Sequence, residues 1–236
     1  QFNNSVLFFV LTLSYVIASF LVVNTSDLSV NASSKANFLK DTKLVFKQAR
    51  QNFAILTVLL ITPIFNIFVL PFVALIPLLY IEQFNTDEFL TGILTSVDGI
   101  GAIFGAVLIS TIVLTRPIGL FFSLIAAQLI LLFGSTLAPD LVLLTFIIFF
   151  IGVSSSAYST LQSSIIYANS KESLRSPTFS ILTIAIGSGF LGGINTSWLG
   201  SFLEVPEIIR IISIEGLIAF TLVILFLKVR FKKTIV

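Results

Sequence analysis

Apolar and polar positions alternate in blocks along this 236-residue chain. Seven apolar stretches are close to the roughly 20 residues that a helix needs to cross about 30 Å of hydrocarbon. They run from Val6 to Val23, Phe53 to Ile81, Phe89 to Leu114, Ile118 to Leu137, Leu141 to Ala168, Pro177 to Leu203 and Glu207 to Leu227. In lipid every backbone N–H and C=O must be satisfied internally, and open sheets cannot do this, so the spans are predicted to be helices and the fold all-α and membrane-integral. The second span is too long for the hydrocarbon, at about 43 Å of helical rise. It should tilt or break, and Pro63, Pro71 and Pro77 supply break points because each removes a backbone donor and crowds the preceding turn. Short polar turns join the later spans: an acidic loop at Glu82–Glu88, then Thr115-Arg116-Pro117, Ala138-Pro139-Asp140 and Asn169–Ser176.

Charge adds direction to this pattern. Of the 13 Lys and Arg residues, all but Arg210 fall on every second loop: Lys35, Lys40, Lys43, Lys47 and Arg50; Arg116; Lys171 and Arg175; and Lys228, Arg230, Lys232 and Lys233. Short loops rich in Lys and Arg stay cytoplasmic, so the first span is expected to run inward and the C-terminus to be cytoplasmic in a plasma (inner) membrane. The longest polar segment, residues 24–51, is loop-like in its first half and helix-spaced in its second. There Lys40, Lys43, Lys47 and Arg50 form a basic stripe, with Phe38, Leu39, Phe46 and Ala49 available to an apolar face. This is the pattern of a helix lying on the membrane surface, and equally of a solvated basic connector.

Composition narrows the function classes. With 56% hydrophobic residues, 10% charged residues and a mean hydropathy of +1.09, too little polar surface is left to coat a soluble globule. The net charge of +2 resides in the basic loops and tail, which suits anionic lipid, and nucleic acid is not expected as a partner. The chain has no cysteine and no histidine. It therefore has no disulfide framework, and no metal site or other cofactor is expected. A membrane enzyme has no catalytic constellation to rest on. The chain also has no methionine and opens without a secretory signal pattern, so it reads as a piece of a longer protein.

Two glycine patterns match. Gly99, Gly101 and Gly105 in the third span and Gly187, Gly189 and Gly193 in the sixth both read G-x-G-x-x-x-G. Each lies in the second helix of a group of three. If spans two to four and five to seven are equivalent, their odd helix number gives them opposite orientations, the inverted-repeat plan of many secondary transporters. Small residues four apart also let helix backbones approach, so the glycine faces are expected to be packing seams.

Several stretches resemble the major facilitator superfamily, and within it the bacterial drug and siderophore exporters. They are Leu70-Pro71, Thr91-Gly92-Ile93-Leu94 running into Gly99 to Ala106, Thr160-Leu161-Gln162, and Leu174-Arg175. In relatives the last loop tends to read Leu-Arg-Gly-Arg, whereas here it reads Leu174-Arg175-Ser176-Pro177 and lacks the second Arg. The resemblance implies that residues 1–23 are the sixth helix of a full transporter and 24–51 its central cytoplasmic loop. Residues 52–227 would then be the six-helix C-terminal half, 228–236 a basic tail, and the absent N-terminal half a partner. It also implies that Phe53–Ile81 and Leu141–Ala168 line a substrate cavity, and that the glycine-rich helices form the seam with the missing half. The function implied is secondary active transport, as proton-coupled export of an amphiphilic small molecule by alternating access. The competing class is a complete seven-helix sensor or receptor, which the same topology would also suit.

Polar groups inside a membrane are costly, so each is a candidate. Asp98 lies three residues before Gly101 and seven before Gly105, hence on the seam face. A desolvated carboxyl there is either a proton carrier or a fixed packing contact. Glu215 is the second proton-coupling candidate, on a more apolar face. Ser155, Tyr158, Ser159 and Gln162 share one stripe of the fifth span, while Thr62 and Asn66 pair on the second. With Asn195 of the sixth span they are the cavity-lining candidates, the alternative being hydrogen bonding between helices. Arg116, Lys171, Glu172 and Arg175 are candidates for a cytoplasmic gate.

Overall fold

The computed structural model describes residues 4–24, 38–112 and 115–231. The loop-like half of the long polar segment with Lys35, the end of the third predicted span at Leu114, and the tail lysines Lys232 and Lys233 lie outside the described residues. The chain divides into two units, Gln1–Phe38 and Leu39–Val236.

In the first unit, α1 (Asn4–Asn24) covers the first predicted span. Its described side chains, among them Phe8, Phe9, Tyr15 and Phe20, are exposed. Thr12 Oγ1 donates to Phe8 O at 2.8 Å, which satisfies the hydroxyl within its own helix.

All but the first residue of α2 (Phe38–Gln51) belongs to the second unit. Its stripe of Lys40, Lys43, Lys47 and Arg50 is exposed, as the spacing predicts. The buried face agrees with expectation at Ala49, which is fully buried together with Val45, and differs at Phe46, which is half exposed; the side chains of Phe38 and Leu39 lie outside the described residues. Val45 and Ala49 stand one turn apart on the side that meets the bundle, and Phe46 is turned about 100° away from Val45. Asn52 ends this helix and begins the next, its Oδ1 accepting from Ala54 N at 3.0 Å and Ile55 N at 3.1 Å.

Six helical spans follow, each long and apolar enough to cross a membrane. All the described residues are helical or in turns, with no strand among them. The second predicted span comprises α3 (Phe53–Ile64), a π-helical turn at Phe65–Val69, and α4 (Phe72–Phe84). The third, fourth and fifth are α5 (Glu88–Thr111), α6 (Pro117–Ser135) and α7 (Leu141–Asn169). The sixth is broken at Ser188 into α8 (Arg175–Gly187) and α9 (Gly189–Leu199), and the seventh is α10 (Val205–Arg230).

The turns use residues that suit their ends. Asp87 and Asp140 accept from Leu90 N at 2.7 Å and Leu143 N at 2.8 Å, capping α5 and α7. Asn85 stops α4 in the left-handed region at φ 51°, which Asn tolerates better than most side chains.

Contacts between remote turns show which ends meet. At one end Asn52 Nδ2 donates to Asn169 O at 3.4 Å, and the Phe53 and Phe231 rings meet at 5.3 Å. At the other end Gln83 donates to Ala138 O at 3.0 Å and Val205 N donates to Glu82 Oε2 at 3.0 Å. Arg210 also lies toward this second end, on α10 rather than in a loop. It donates through Nε to Thr136 Oγ1 at 3.0 Å and through a terminal nitrogen to Thr136 O at 3.3 Å. The one basic residue outside the charge pattern is thus fixed at the C-terminus of α6, where the helix dipole favours a cation.

Packing is closest where glycines meet backbone. A methyl group added at Gly101 or Gly105 of α5 would overlap the carbonyl oxygen of Phe149 or Val153 on α7, and one at Gly152 of α7 would overlap that of Asp98. Such approach lets Cα–H groups face carbonyl oxygens directly. In α9 the glycine in this role is Gly192, set against Ile67 O and Pro71, with Gly189 beside Leu70 and Asn66. Gly99, Gly187 and Gly193 have open space where a side chain would project. Gly189, Gly192 and Gly193 all lie on α9 beyond the turn at Ser188, and the face that carries Gly189 and Gly192 is the one that meets the broken span. The expectation of a glycine seam with a missing half meets a different arrangement, in which Gly101 and Gly105 are spent on α7. The opposite side of α5 leaves Ile100, Ile103, Phe104 and Val107 exposed.

Candidate functional site

The long broken span and α7 run side by side in opposite directions, joined at three levels. Asn52 bonds Asn169 near one end, Gln162 Nε2 donates to Thr62 Oγ1 at 2.6 Å midway, and Tyr80 OH donates to Thr145 Oγ1 at 3.1 Å toward the other end. The middle level carries the densest polar chemistry.

Local sequence explains why the chain deforms there. Pro71 has no N–H, so the carbonyls one turn before it lose a donor, and the backbone widens into the π turn in which Leu70 N reaches back five residues to Phe65 O at 3.0 Å. Asn66 sits in that turn and its Nδ2 donates to Thr62 O at 2.9 Å. Thr62 donates to Val58 O at 2.7 Å while accepting from Gln162. Gln162 Nε2 also lies 3.0 Å from Tyr158 OH, and the two share one face of α7 at i, i+4.

The Tyr158 ring is stacked between Phe65, at 4.3 Å and 13°, and Phe121 of α6, at 4.8 Å and 18°. A second polar link joins α6 to α7, where Gln128 Nε2 donates to Ser155 Oγ. Gln128 is wholly buried, and its Oε1 has no hydrogen-bond partner among the described residues.

Thr62, Asn66, Tyr158 and Gln162 are therefore brought together in one buried cluster, with Ser155 linked to it through α7. Ser159 is exposed and bonds only Ser155 O of its own helix, at 3.0 Å. Asn195 is elsewhere, where its Nδ2 donates to Glu215 Oε2 at 2.8 Å and ties α9 to α10. None of these residues lines the groove of about 650 Å³ between α4 and α9, whose walls include Leu70, Pro71, Glu82, Gly193 and Thr196. Sequence reasoning missed Gln128, Phe65 and Phe121. Gln128 could have been found as the one amide in its span. The two phenylalanines could not, because nothing distinguishes them from the other members of a set of 25.

Asp98 is half-buried on the face of α5 that meets α7. Its Oδ1 lies 3.0 Å from where a Gly152 side chain would begin. No described residue hydrogen-bonds its carboxyl. The two intramembrane acids thus differ: Glu215 already has an amide donor, and Asp98 has room beside a glycine.

At the gate candidates, Arg175 sets its guanidinium 4.3 Å over the Tyr167 ring, and among the described residues no ion pair joins Arg175 or Lys171 to Glu172. The planar, weakly hydrated guanidinium favours an aromatic face over an exposed carboxylate. Arg116 is exposed at the start of α6. Among the described residues no group of His, Cys, Asp and Glu could hold a metal ion. No family model, curated protein or solved structure matches the chain.

Proposed function

We propose that this chain is part of a secondary active transporter of the major facilitator type, with residues 52–227 forming its C-terminal half and α1 a further span. In this reading it exports an amphiphilic small molecule by alternating access, in exchange for protons, across a plasma membrane whose cytoplasmic side carries the basic loops and the C-terminus. Lipid, the other transporter half and the small-molecule substrate are its partners.

The observation that carries the reading is a reciprocity of contacts. The glycine-bearing helix of the first triplet, α5, lays Gly101 and Gly105 on α7, the first helix of the second triplet. The glycine-bearing helix of the second triplet, α9, lays Gly189 and Gly192 on the broken first helix of the first triplet. Exchanging the triplets maps α6–α7 packing onto α10 against α3 and α4, and α6–α10 packing onto itself. Inverted repeats produce this relation.

The chemistry fits as well. Discontinuous helices with polar groups near mid-span are where such transporters hold substrates, and the π turn with Asn66, Thr62, Tyr158 and Gln162 supplies hydrogen bonds without fixed charge. Asp98 is assigned the proton, because it is an intramembrane carboxyl with no partner of its own. Glu215, held by Asn195, is the second candidate. Arg116, Lys171, Glu172 and Arg175 ring the cytoplasmic mouth.

The test is Asp98→Asn in the full-length transporter reconstituted in vesicles, with the cationic dye ethidium as probe. Efflux driven by a pH gradient should be lost, while dye exchange without a gradient persists. Undiminished gradient-driven efflux would remove Asp98 from coupling, and the absence of any mediated flux of ethidium or other cationic amphiphiles would overturn the transport reading.

A further inference from the structure

We infer that the cavity between α2 and the end of α10 binds the phosphate of an anionic lipid head group. Lys43, Lys47 and Arg50 project from successive turns of α2, Arg230 comes from the last turn of α10, and together with Phe46 and Gln51 they line a cavity of about 550 Å³. All four cations are exposed, and no acidic residue lines the cavity. No ion pair among the described residues neutralises any of them. Four like charges around one space repel, and an anion placed among them turns that repulsion into attraction.

The position of the cavity selects a lipid over a free ion. Arg230 ends a helix long and apolar enough to cross a membrane, so the cavity opens at the boundary between hydrocarbon and water. Leu225, Phe226 and Val229, in the turns just before it, are exposed, and so is Phe46 within the lining. A diacyl phospholipid would lay its chains along these side chains with its phosphate among the cations, whereas inorganic phosphate would leave the apolar part unexplained. Burial of Val45 and Ala49 fixes α2 against the bundle and so presets the spacing of the cations. Basic pockets of this kind at a membrane boundary are suited to acidic head groups. The inference needs only that the helices cross a membrane and stands apart from the transport reading.

The experiment is native mass spectrometry of the full-length protein in nonionic detergent, titrated separately with phosphatidylglycerol, phosphatidylcholine and inorganic phosphate. Phosphatidylglycerol should bind at least about tenfold tighter than phosphatidylcholine, and Lys47→Gln or Arg230→Gln should each weaken it roughly fivefold. Lys228→Gln removes a charge from the same turn of α10 but not from the cavity lining, and should change binding less than about twofold. The charge-preserving pair Arg50→Lys and Arg230→Lys should retain binding, and circular dichroism verifies helix content in every variant. Equal binding of the two lipids would overturn the inference. So would an equal loss with Lys228→Gln, which would mean a diffuse surface effect, or inorganic phosphate binding as tightly as the lipid.

Discussion

At Gly101, Gly105 and Gly152 the backbones of α5 and α7 meet with no side chain between them, so even a methyl group forces them apart. Gly105→Val should destabilise the protein by about 3 kcal/mol, the upper range for overpacking. Gly99→Ala, where space is open, should be neutral or stabilising by up to about 1 kcal/mol through helix propensity. Thermal unfolding in detergent measures both, and equal effects would mean that the seam does not hold the helices. The hydrogen bond from Gln162 to Thr62 permits a second test at this scale. A double-mutant cycle of Thr62→Val and Gln162→Leu should give a coupling of about 1 kcal/mol, typical of interhelical hydrogen bonds in membranes. Polar residues at helical spacing were legible as candidates because lipid penalises them. Their partners were not, since a one-dimensional pattern places Gln162 and Tyr158 on one face without saying that Thr62 lies opposite or that Phe121 closes the stack.

Among elements, the spans were the most legible feature, because a run of apolar residues bounded by Asp, Pro or Asn fixes a helix end within a few residues. The second span was expected to break at one of three prolines. It breaks at Phe65–Val69, before Pro71, while Pro63 and Pro77 remain inside helices. Proline alone does not decide this, since the close approach of Gly189 and Gly192 supplies surroundings for the loosened turn. The turn at Ser188 gave no comparable signal, and the close contact falls on Gly192 and not on Gly193. The end of α6 offers a prediction of its own. Arg210→Met removes both hydrogen bonds to Thr136 and the favourable charge at the helix terminus, and should cost about 2 kcal/mol. Arg210→Lys should recover part of this, and a melting curve unchanged by either substitution would show that the contact is idle.

For the whole molecule, the two ends differ in charge. The turns near one end carry Glu82, Asp87, Glu88, Asp140 and Glu204, and those near the other carry Lys47, Arg50, Arg116, Lys171 and Arg175. These residues contain no cysteine, so single cysteines placed in them report sidedness once any cysteine elsewhere in the full-length protein is replaced. Ser173→Cys should be shielded from a membrane-impermeant maleimide in intact cells, and Ser201→Cys should react, both sites being exposed in the described structure. The reverse pattern would invert the proposed topology. The seven spans were legible from the apolar runs alone, and six of them are helices long and apolar enough to cross a membrane among the described residues, whereas the half-transporter reading rests on resemblance.

The glycine seam also bears on how such a molecule could deform. Side chains can change rotamer and let their helices slip, but a backbone set directly on a backbone has no such freedom. Pressed together at Gly101, Gly105 and Gly152, α5 and α7 act as a single strut. Bending and sliding are left to the junctions made of longer side chains, chiefly the Thr62–Gln162 hydrogen bond and the ring stack on Tyr158, where a small rotation costs little and a bound molecule could set the angle.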